Sequence, residues 1–332
     1  MFELNAIRRG RALAFVGIAA LTCGMLPAAQ AQDSYPDRPI QMVVPFPAGG
    51  TTDIIGRSIG QRLGERWGQS IVLENKGGAG GNIGTQFVVK SAADGYTWSI
   101  NTAAPMAINP HLYTNLTFDP LTDLVPMVRI AEVQNVLVVN NDIPANTLQE
   151  FLTYAASRTE PLFYGSTGVG TAAHLSGFML TQRAGLNATH VPYKGAAALN
   201  DLIGARVQFM FATLPSVMGH LQSGKLRAIA VSSARRSAVL PDLKTVAEQG
   251  FPGFDTGTWY GIFAPKATPR NVIDKVNRDV NAILADPEVQ KSMLDAGAEP
   301  AGGITPEQFG EFVQKESQRW KGIVETSGAT AS

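Results

Sequence analysis

Short apolar segments alternate with stretches of helical periodicity along most of this sequence, and this alternation constrains the fold more than any other feature. Glycine- or proline-rich turns separate many of the segments from the helical stretches. Such an order is typical of βαβ units, in which parallel strands are buried between helices. The sequence therefore predicts an α/β fold with parallel sheet and strands at residues 40–44, 71–73, 98–101, 136–139, 162–165, 189–191, 207–211 and 228–231.

Three threonines are placed to start helices. Thr147 is followed three residues later by Glu150, which is the spacing of a capping box. Thr268 and Thr305 each precede a proline, a residue favoured at the first helical position. We expect each threonine side chain to cap the helix that follows it.

The length of the chain predicts two lobes, because single cores stop growing near about 250–300 residues and this chain has 332. From the order of the elements, the chain crosses between lobes near residues 130–136 and 251–259. The predicted first lobe is residues 32–132 plus 255–332, and the predicted second lobe is residues 133–254.

The first 31 residues have the pattern of a secretory signal. A basic start at Arg8, Arg9 and Arg11 precedes an uncharged run, and small residues follow at 29–31. The run is shorter than a membrane span of about 20 residues. We expect cleavage after Ala31 and a periplasmic mature chain that is not embedded in a membrane; the sequence leaves Sec or Tat export open.

Removal of this leader fixes the charge and the cysteine content of the mature chain. It takes the single cysteine, Cys23, three of the 27 basic residues and one of the 27 acidic ones, leaving a net charge of −2. Disulfides, thiolate metal sites and cysteine nucleophiles are then excluded. The slightly negative net charge also argues against a nucleic-acid partner, because a protein that binds nucleic acid needs a basic stripe.

The first candidate binding segment, called here the first loop, is residues 45–53. It leaves a strand and opens a helix, and its glycines allow backbone N–H groups to approach a ligand closely. A strand–helix turn without a ligand uses the same residue types. The ligand-binding candidates in this loop are Phe46, Ala48, Gly49, Gly50, Thr51 and Asp53.

The second candidate segment, called the second loop, is residues 164–174, and it also runs from a strand into a helix. No acidic residue lies between Glu160 and Asp201, so nothing nearby in sequence repels an anion. The candidates here are Ser166, Gly168, Thr171 and His174, although His174 also suits a packing role inside its helix. Two such helix N-termini facing one cleft would bind a carboxylate.

Catalytic and cofactor interpretations of the second loop are weaker. A dinucleotide fingerprint needs an acidic residue about 20 positions on, where this chain has Tyr193 and Lys194. A serine hydrolase using Ser166 and His174 lacks the first glycine of the nucleophile elbow. Neither glycine-rich stretch contains the G-K-[ST] of a P-loop, and the four histidines are not paired at ligand spacing. We expect no catalysis, no cofactor and no metal.

Several motifs occur together, in order, over residues 35–324. The sequence they form resembles the Bug family, the extracytoplasmic solute receptors of tripartite tricarboxylate transporters. The motifs are Tyr35-Pro36-x-Arg38-Pro39, Pro45-Phe46-x-Ala48-Gly49-Gly50, Glu74-Asn75-Lys76, Ala93-Asp94-Gly95-Tyr96, Gly168-x-Gly170-x-x-x-His174, His190-Val191-Pro192-Tyr193-Lys194-Gly195 and Leu214-Pro215-Ser216.

The resemblance implies a two-lobed, type II-like periplasmic binding-protein fold that closes on a small organic carboxylate gripped at the two loops. It also implies a membrane transporter of one large and one small subunit as partner, or a sensor protein in its place. We expect the receptor itself to be a monomer.

The sequence departs from the family at two places that bear on the ligand. Relatives often carry Glu where this chain has Phe178, and Asp-Asn where it has Ala212-Thr213. Loss of acidic groups would disfavour a cationic amino group on the ligand. The hypothesis is an organic acid, aromatic acids included, rather than an amino acid.

Overall fold

The computed structural model describes residues 35–195, 197–327 and 329–331. The predicted leader and its Cys23 lie outside the described residues. The strands of the described chain are β1 (Ile40–Val44), β2 (Ile71–Asn75), β3 (Thr97–Thr102), β4 (Leu124–Val133), β5 (Asn135–Asn140), β6 (Leu162–Ser166), β7 (Ala188–Pro192), β8 (Phe209–Thr213), β9 (Leu226–Val231), β10 (Thr258–Pro265) and β11 (Glu299–Pro300).

Helices follow most of these strands. They are α1 (Thr51–Trp67), α2 (Asn82–Val89), α3 (Asn109–Leu112), α4 (Pro120–Asp123), α5 (Leu148–Ala156), α6 (Ala172–Ala184), α7 (Ala197–Ile203), α8 (Leu214–Gln222), α9 (Arg270–Leu284), α10 (Pro287–Asp295) and α11 (Pro306–Ser327). A 3-10 turn, Ala79–Gly81, precedes α2, and a π-helical turn, Ala104–Ile108, precedes α3.

The strands form two sheets within the compact unit Pro36–Ser332. The first sheet has the order β11-β4-β10-β3-β1-β2, and the second has the order β7-β6-β8-β5-β9. The first sheet takes its strands from both ends of the described chain, whereas the second uses only the middle. The mixed α/β fold with two lobes is therefore confirmed; the lobe boundaries at 132/133 and 254/255 stay a prediction.

The prediction of parallel sheet is right for only part of each sheet. β1 pairs in parallel with β2 and β3, and β6 pairs in parallel with β7 and β8. β10 is antiparallel to β3 and β4, and β5 is antiparallel to β8 and β9. The antiparallel strands carry the chain from one sheet into the other, a role that the βαβ pattern does not describe.

Two of the three predicted threonine caps are confirmed. The Thr147 hydroxyl accepts from the Glu150 N–H, and Thr305 accepts from the Gln308 N–H. The prediction for Thr268 is wrong: α9 starts after Pro269, and the Thr268 hydroxyl is buried with no hydrogen-bond partner among the described residues.

Aromatic side chains fill the cores that hold the sheets. Trp259, Phe309 and Trp320 are almost fully buried between the first sheet and α11. Phe151, Phe209 and other buried side chains pack on one face of the second sheet, and a separate cluster packs on the other. Burial of each such side chain contributes about 1.5–3 kcal/mol, so both sheets are rigid supports for the loops at their ends.

Candidate functional site

A cavity of about 300 Å³ lies between the two sheets, within the size range of small-molecule sites. From the first sheet and its loops it is lined by Phe46, Pro47, Gly49, Gly50, Thr51, Thr52, Thr102, Ala104, Thr258 and Tyr260. From the second sheet and its loops it is lined by Asn135, Thr167, Thr171, Ala172, Ala173, Gly195, Leu199, Asn200, Met210, Phe211, Ala212, Thr213, Ser216 and His220.

The described residues that line this cavity include no Asp, Glu, Lys or Arg. Their polar groups are nine hydroxyls, the amides of Asn135 and Asn200, the imidazole of His220 and the backbone. Burial raises the pKa of Tyr260, so its hydroxyl stays protonated at neutral pH. A ligand in this cavity would therefore contact hydrogen-bond donors and dipoles but no permanently charged side chain of the described lining.

The first loop is held in shape from behind by Asp53. Its buried carboxylate accepts from the Gly49 N–H at 3.0 Å, from Arg57 at 2.9 Å and from Asn75 at 3.1 Å. Burial tends to raise the pKa of Asp53, but these hydrogen bonds outweigh it and leave the pKa lowered. The Asn75 amide also donates to the Phe46 carbonyl at 3.0 Å. Asp53 is thus ionised and fully partnered, and it does not line the cavity.

Direct contacts join the two sides of the cavity. The Thr51 hydroxyl, at the start of α1, lies 2.7 Å from the Thr213 hydroxyl at the end of β8. A Cβ built on Gly195 would lie 2.9 Å from Cγ of Pro47. The hydroxyl contact and the close approach of Gly195 to Pro47 describe a closed cleft, with the first loop packed against the end of β8 and the turn after β7.

Ser166 organises the second loop. Its buried hydroxyl is hydrogen-bonded to His190 Nε2 at 2.7 Å and also contacts the Gly168 carbonyl and N–H. Thr171 donates to the Gly168 carbonyl at 2.8 Å and caps α6 by accepting from the His174 N–H. Gly168 adopts a positive φ of 145°, a conformation that favours glycine.

A stack of histidines supports the second loop from beneath. The rings of His174 and His190 are 4.1 Å apart, and Tyr164 stacks on His190 at 5.0 Å. The Gly170 N–H donates to His174 Nδ1 at 3.4 Å. Burial lowers the pKa of His174 to about 4, and burial together with the neighbouring His174 lowers the pKa of His190 to about 3. Both rings are neutral at neutral pH.

The arrangement gives no support to the Ser166–His174 hydrolase. Ser166 is paired with His190 rather than His174, and its side chain is buried. Neither Ser166 nor His174 lines the cavity. A nucleophile must reach its substrate, and this hydroxyl instead fixes the backbone of Gly168.

Of the ten candidate residues, half line the cavity: Phe46, Gly49, Gly50, Thr51 and Thr171. The other five do not line it: Ala48, Asp53, Ser166, Gly168 and His174. All of these except Ala48 hold or form the loops, as described above. Ligand contact by any of the ten stays a prediction.

Besides the two loops, the cavity is lined by the end of β8, the start of α8 and β10. The sequence analysis did not predict that these segments line the cavity. The Leu214-Pro215-Ser216 motif, with proline early in a helix, was the available signal. Ala212 and Thr213, noted as departures from the family, do line the cavity, whereas Phe178 does not.

Within the described ranges, no three His, Cys, Asp or Glu side chains are grouped so that they could hold a metal ion. Across the same residues, every helix is too short or too polar to cross a bilayer.

The chain matches known proteins over most of its length. Residues 55–329 match the model of the tripartite tricarboxylate transporter family receptor, TctC. BugT of Bordetella pertussis is 38% identical over 321 residues, which cover 96% of this chain and 98% of that protein.

Solved structures agree with this match. The Rpa4515 protein of R. palustris with adipate has a TM-score of 0.86 and 38% identity, covering 89% of this chain and 99% of that one. MatC of Rhodopseudomonas palustris with bound malate has a TM-score of 0.82 and 31% identity. The match covers 87% of this chain and 100% of that one.

Proposed function

Because this chain belongs to the tripartite tricarboxylate transporter receptor family, whose members are solute-binding proteins and not enzymes, we propose that it captures a small organic carboxylate in the periplasm. We further propose that it delivers this solute to a membrane transporter of one large and one small subunit. The solute is released unchanged, so no cofactor takes part.

The observation that carries the proposal is the uncharged cavity with three helix N-termini at its wall. The helices α1, α6 and α8 begin at Thr51, Ala172 and Leu214, and lining residues stand at or beside each start. Helix N-termini attract anions through unpaired N–H groups and the helix dipole. The two structural relatives described above hold adipate and malate, which are both carboxylates.

We assign the candidate residues to two roles. Gly49, Gly50, Thr51 and Thr171 contact the carboxylate, with the first backbone N–H groups of α1 and α6 as its donors and Phe46 packing beside it. Asp53, Ser166 and His174 keep the loops in position, and Ala48 and Gly168 shape the turns. The second role is supported by the hydrogen bonds of Asp53 and Ser166 inside their own loops.

The first test is a thermal-shift and calorimetry screen of the mature chain. Organic acids should raise its apparent stability, by about 2.7 kcal/mol at a ligand concentration 100-fold above Kd. Aspartate and glutamate should bind weakly, because no acidic side chain among the described lining residues can pair with an ammonium group. Tight binding of these amino acids together with no response to organic acids would overturn the proposal.

Closure around the ligand is the second expectation. With lobes of residues 32–132 plus 255–332 and 133–254, a hinge between them would open the cavity when it is empty. Small-angle scattering should give a smaller radius of gyration at saturating ligand than without ligand. An identical profile under both conditions would contradict a hinge.

Export is checked separately from binding. N-terminal sequencing of protein from the periplasmic fraction of expressing cells should begin at Gln32, because Ala31 ends the predicted cleavage site. Recovery of the intact chain with Met1 from the cytoplasm alone would count against the periplasmic assignment.

A further inference from the structure

The second loop contacts the first-sheet side of the molecule at a point outside the cavity. The Tyr113 hydroxyl, at the end of α3, donates to the Val169 carbonyl at 3.3 Å. A Cβ built on Gly80, in the 3-10 turn before α2, would lie 3.0 Å from the same carbonyl oxygen. None of these three residues lines the cavity. The contact therefore joins the second loop to α3 and the 3-10 turn without using a residue of the cavity wall.

Gly170, the next residue of the second loop, fits against α3 with no space for a side chain. A Cβ built on it would lie 2.6 Å from Asn109 Oδ1 and 2.8 Å from Leu112 Cδ2, which is too close for a methyl group. Gly170 also adopts a positive φ of 82°, a conformation that favours glycine. Close approach to α3 therefore explains the second glycine of the Gly168-x-Gly170 motif, a residue that does not line the cavity.

The Tyr113 segment is itself held in place by residues 329–331. The Ala331 N–H donates to the Leu112 carbonyl at 3.0 Å, and the Thr114 N–H donates to the Ala331 carbonyl at 3.3 Å. Tyr113 and Ala331 both pack against the core cluster of the first sheet. Tyr113 is therefore a fixed point against which the second loop can be placed.

A hydrogen bond at Val169 acts on the groups proposed to hold the ligand. Val169 lies two residues before Thr171, the N-cap of α6. Thr171 and the next two residues, Ala172 and Ala173, line the cavity. The first N–H groups of a helix have no partner inside it, so they are available to an anion. Fixing the Val169 carbonyl therefore helps to fix the direction in which these N–H groups point.

We propose that Tyr113 is a positioning residue that acts as a closure latch, holding the second loop in its ligand-binding position when the cleft is closed. With the predicted lobe boundaries, Tyr113 and Gly80 belong to the first lobe and Val169 belongs to the second, so opening of the cleft separates them. The inference rests on the proposed function, because a latch of this kind serves a receptor that closes on its ligand. Since the latch lies outside the cavity, it strengthens the binding of every ligand alike.

The test separates binding from stability. An interaction formed only in the closed, liganded state contributes to affinity and not to the stability of the open protein. Tyr113→Phe should therefore raise Kd about three- to fivefold, as expected for the loss of one neutral hydrogen bond. Calorimetry measures Kd with whichever of adipate, malate and benzoate binds wild-type protein most tightly. Stopped-flow kinetics should place the change in the dissociation rate, and urea unfolding without ligand should be unchanged.

Tyr96→Phe is the matched control for the loss of a tyrosine hydroxyl. The Tyr96 hydroxyl donates to Asp37 Oδ1 at 2.6 Å, so this hydrogen bond lies inside the predicted first lobe. Neither residue lines the cavity. This variant should bind the same acid with wild-type affinity.

Gly80→Ala tests the latch from the other side of the contact. Its methyl group would press on the Val169 carbonyl, so it should weaken binding at least as much as Tyr113→Phe. Gly68→Ala is its control, because the φ of Gly68 is 64° and that of Gly80 is 63°. A Cβ on Gly68 meets no described atom within 4 Å beyond its chain neighbours and its own helix. Both alanines carry the same backbone strain, and only Gly80→Ala should change the affinity.

Unchanged affinity in folded Tyr113→Phe, whether or not its stability falls, would overturn the inference. The contact would then be absent from the closed state or present in the open and closed states alike, and the receptor function would stand. Folded wild-type protein that binds no organic acid would instead refute the receptor function itself, and the latch with it.

Discussion

Ala212→Asp should lower the affinity for an organic carboxylate at least a hundredfold. Ala212 lines the cavity and is 3% exposed, so the new carboxylate would enter a space whose described lining residues include no Lys or Arg. Two like charges about 4 Å apart at an effective dielectric of about 20 repel by about 4 kcal/mol, and each 1.4 kcal/mol is tenfold in Kd. Calorimetry above pH 6 measures the loss.

The matched control is Ala212→Asn, which adds nearly the same volume without the charge. It should retain much more of the affinity than the Asp variant, because only the repulsion is removed. If the two variants lose affinity equally, the cause is lost space rather than charge. That result would contradict the proposal that an anion binds next to Ala212 in an uncharged cavity.

Acidification should destabilise the protein through the stacked pair His174 and His190. Their pKa values, lowered to about 4 and about 3, lie below the ordinary histidine value of about 6.5 in the unfolded chain. Between those limits the unfolded state binds protons that the folded state does not, so stability is fully present above pH 6.5 and falls as the pH falls. From pH 6.5 to 5 the loss for the pair is about 2 kcal/mol, because the contribution of the partly exposed His190 is reduced by solvent screening.

Urea unfolding at steps between pH 7 and 5 measures this loss, in a range where most carboxylates are still ionised. His174→Phe keeps a stacking ring that cannot bind a proton, so its stability should depend less steeply on pH even if it is less stable overall. His111, whose pKa is also lowered, is present in both proteins and cancels in the comparison. A variant with the full wild-type slope would show that His174 does not titrate as described.

Local signals in the sequence were enough to find the strands that bear the two loops. The predicted segment at 40–44 coincides with β1, and the segment at 162–165 falls one residue short of β6. Both are mainly apolar and end at a glycine- or proline-rich turn, which is a strong short-range pattern. The expectation that both loops stand at one cleft agrees with a cavity lined by Gly49, Gly50 and Thr171.

Contacts between distant segments could not be predicted in the same way. β10 is central in the first sheet and antiparallel to both neighbours, but its run of buried residues does not reveal its direction. His174 and His190 meet only because α6 packs on β7, and a lone histidine in each segment gives no sign of a stack. Asp53 looked free to meet a ligand, yet Arg57 and Asn75 draw it behind the loop.

The hydrogen bonds of Asp53 have a consequence for the thermodynamics of capture. Since Gly49 and Phe46 are already tied through Asp53 and Asn75, the entropy lost in ordering this backbone is incurred during folding and not during association. A solute of few atoms offers little contact area to offset such a loss. Preorganisation of the loop therefore lets a very small guest bind with useful affinity.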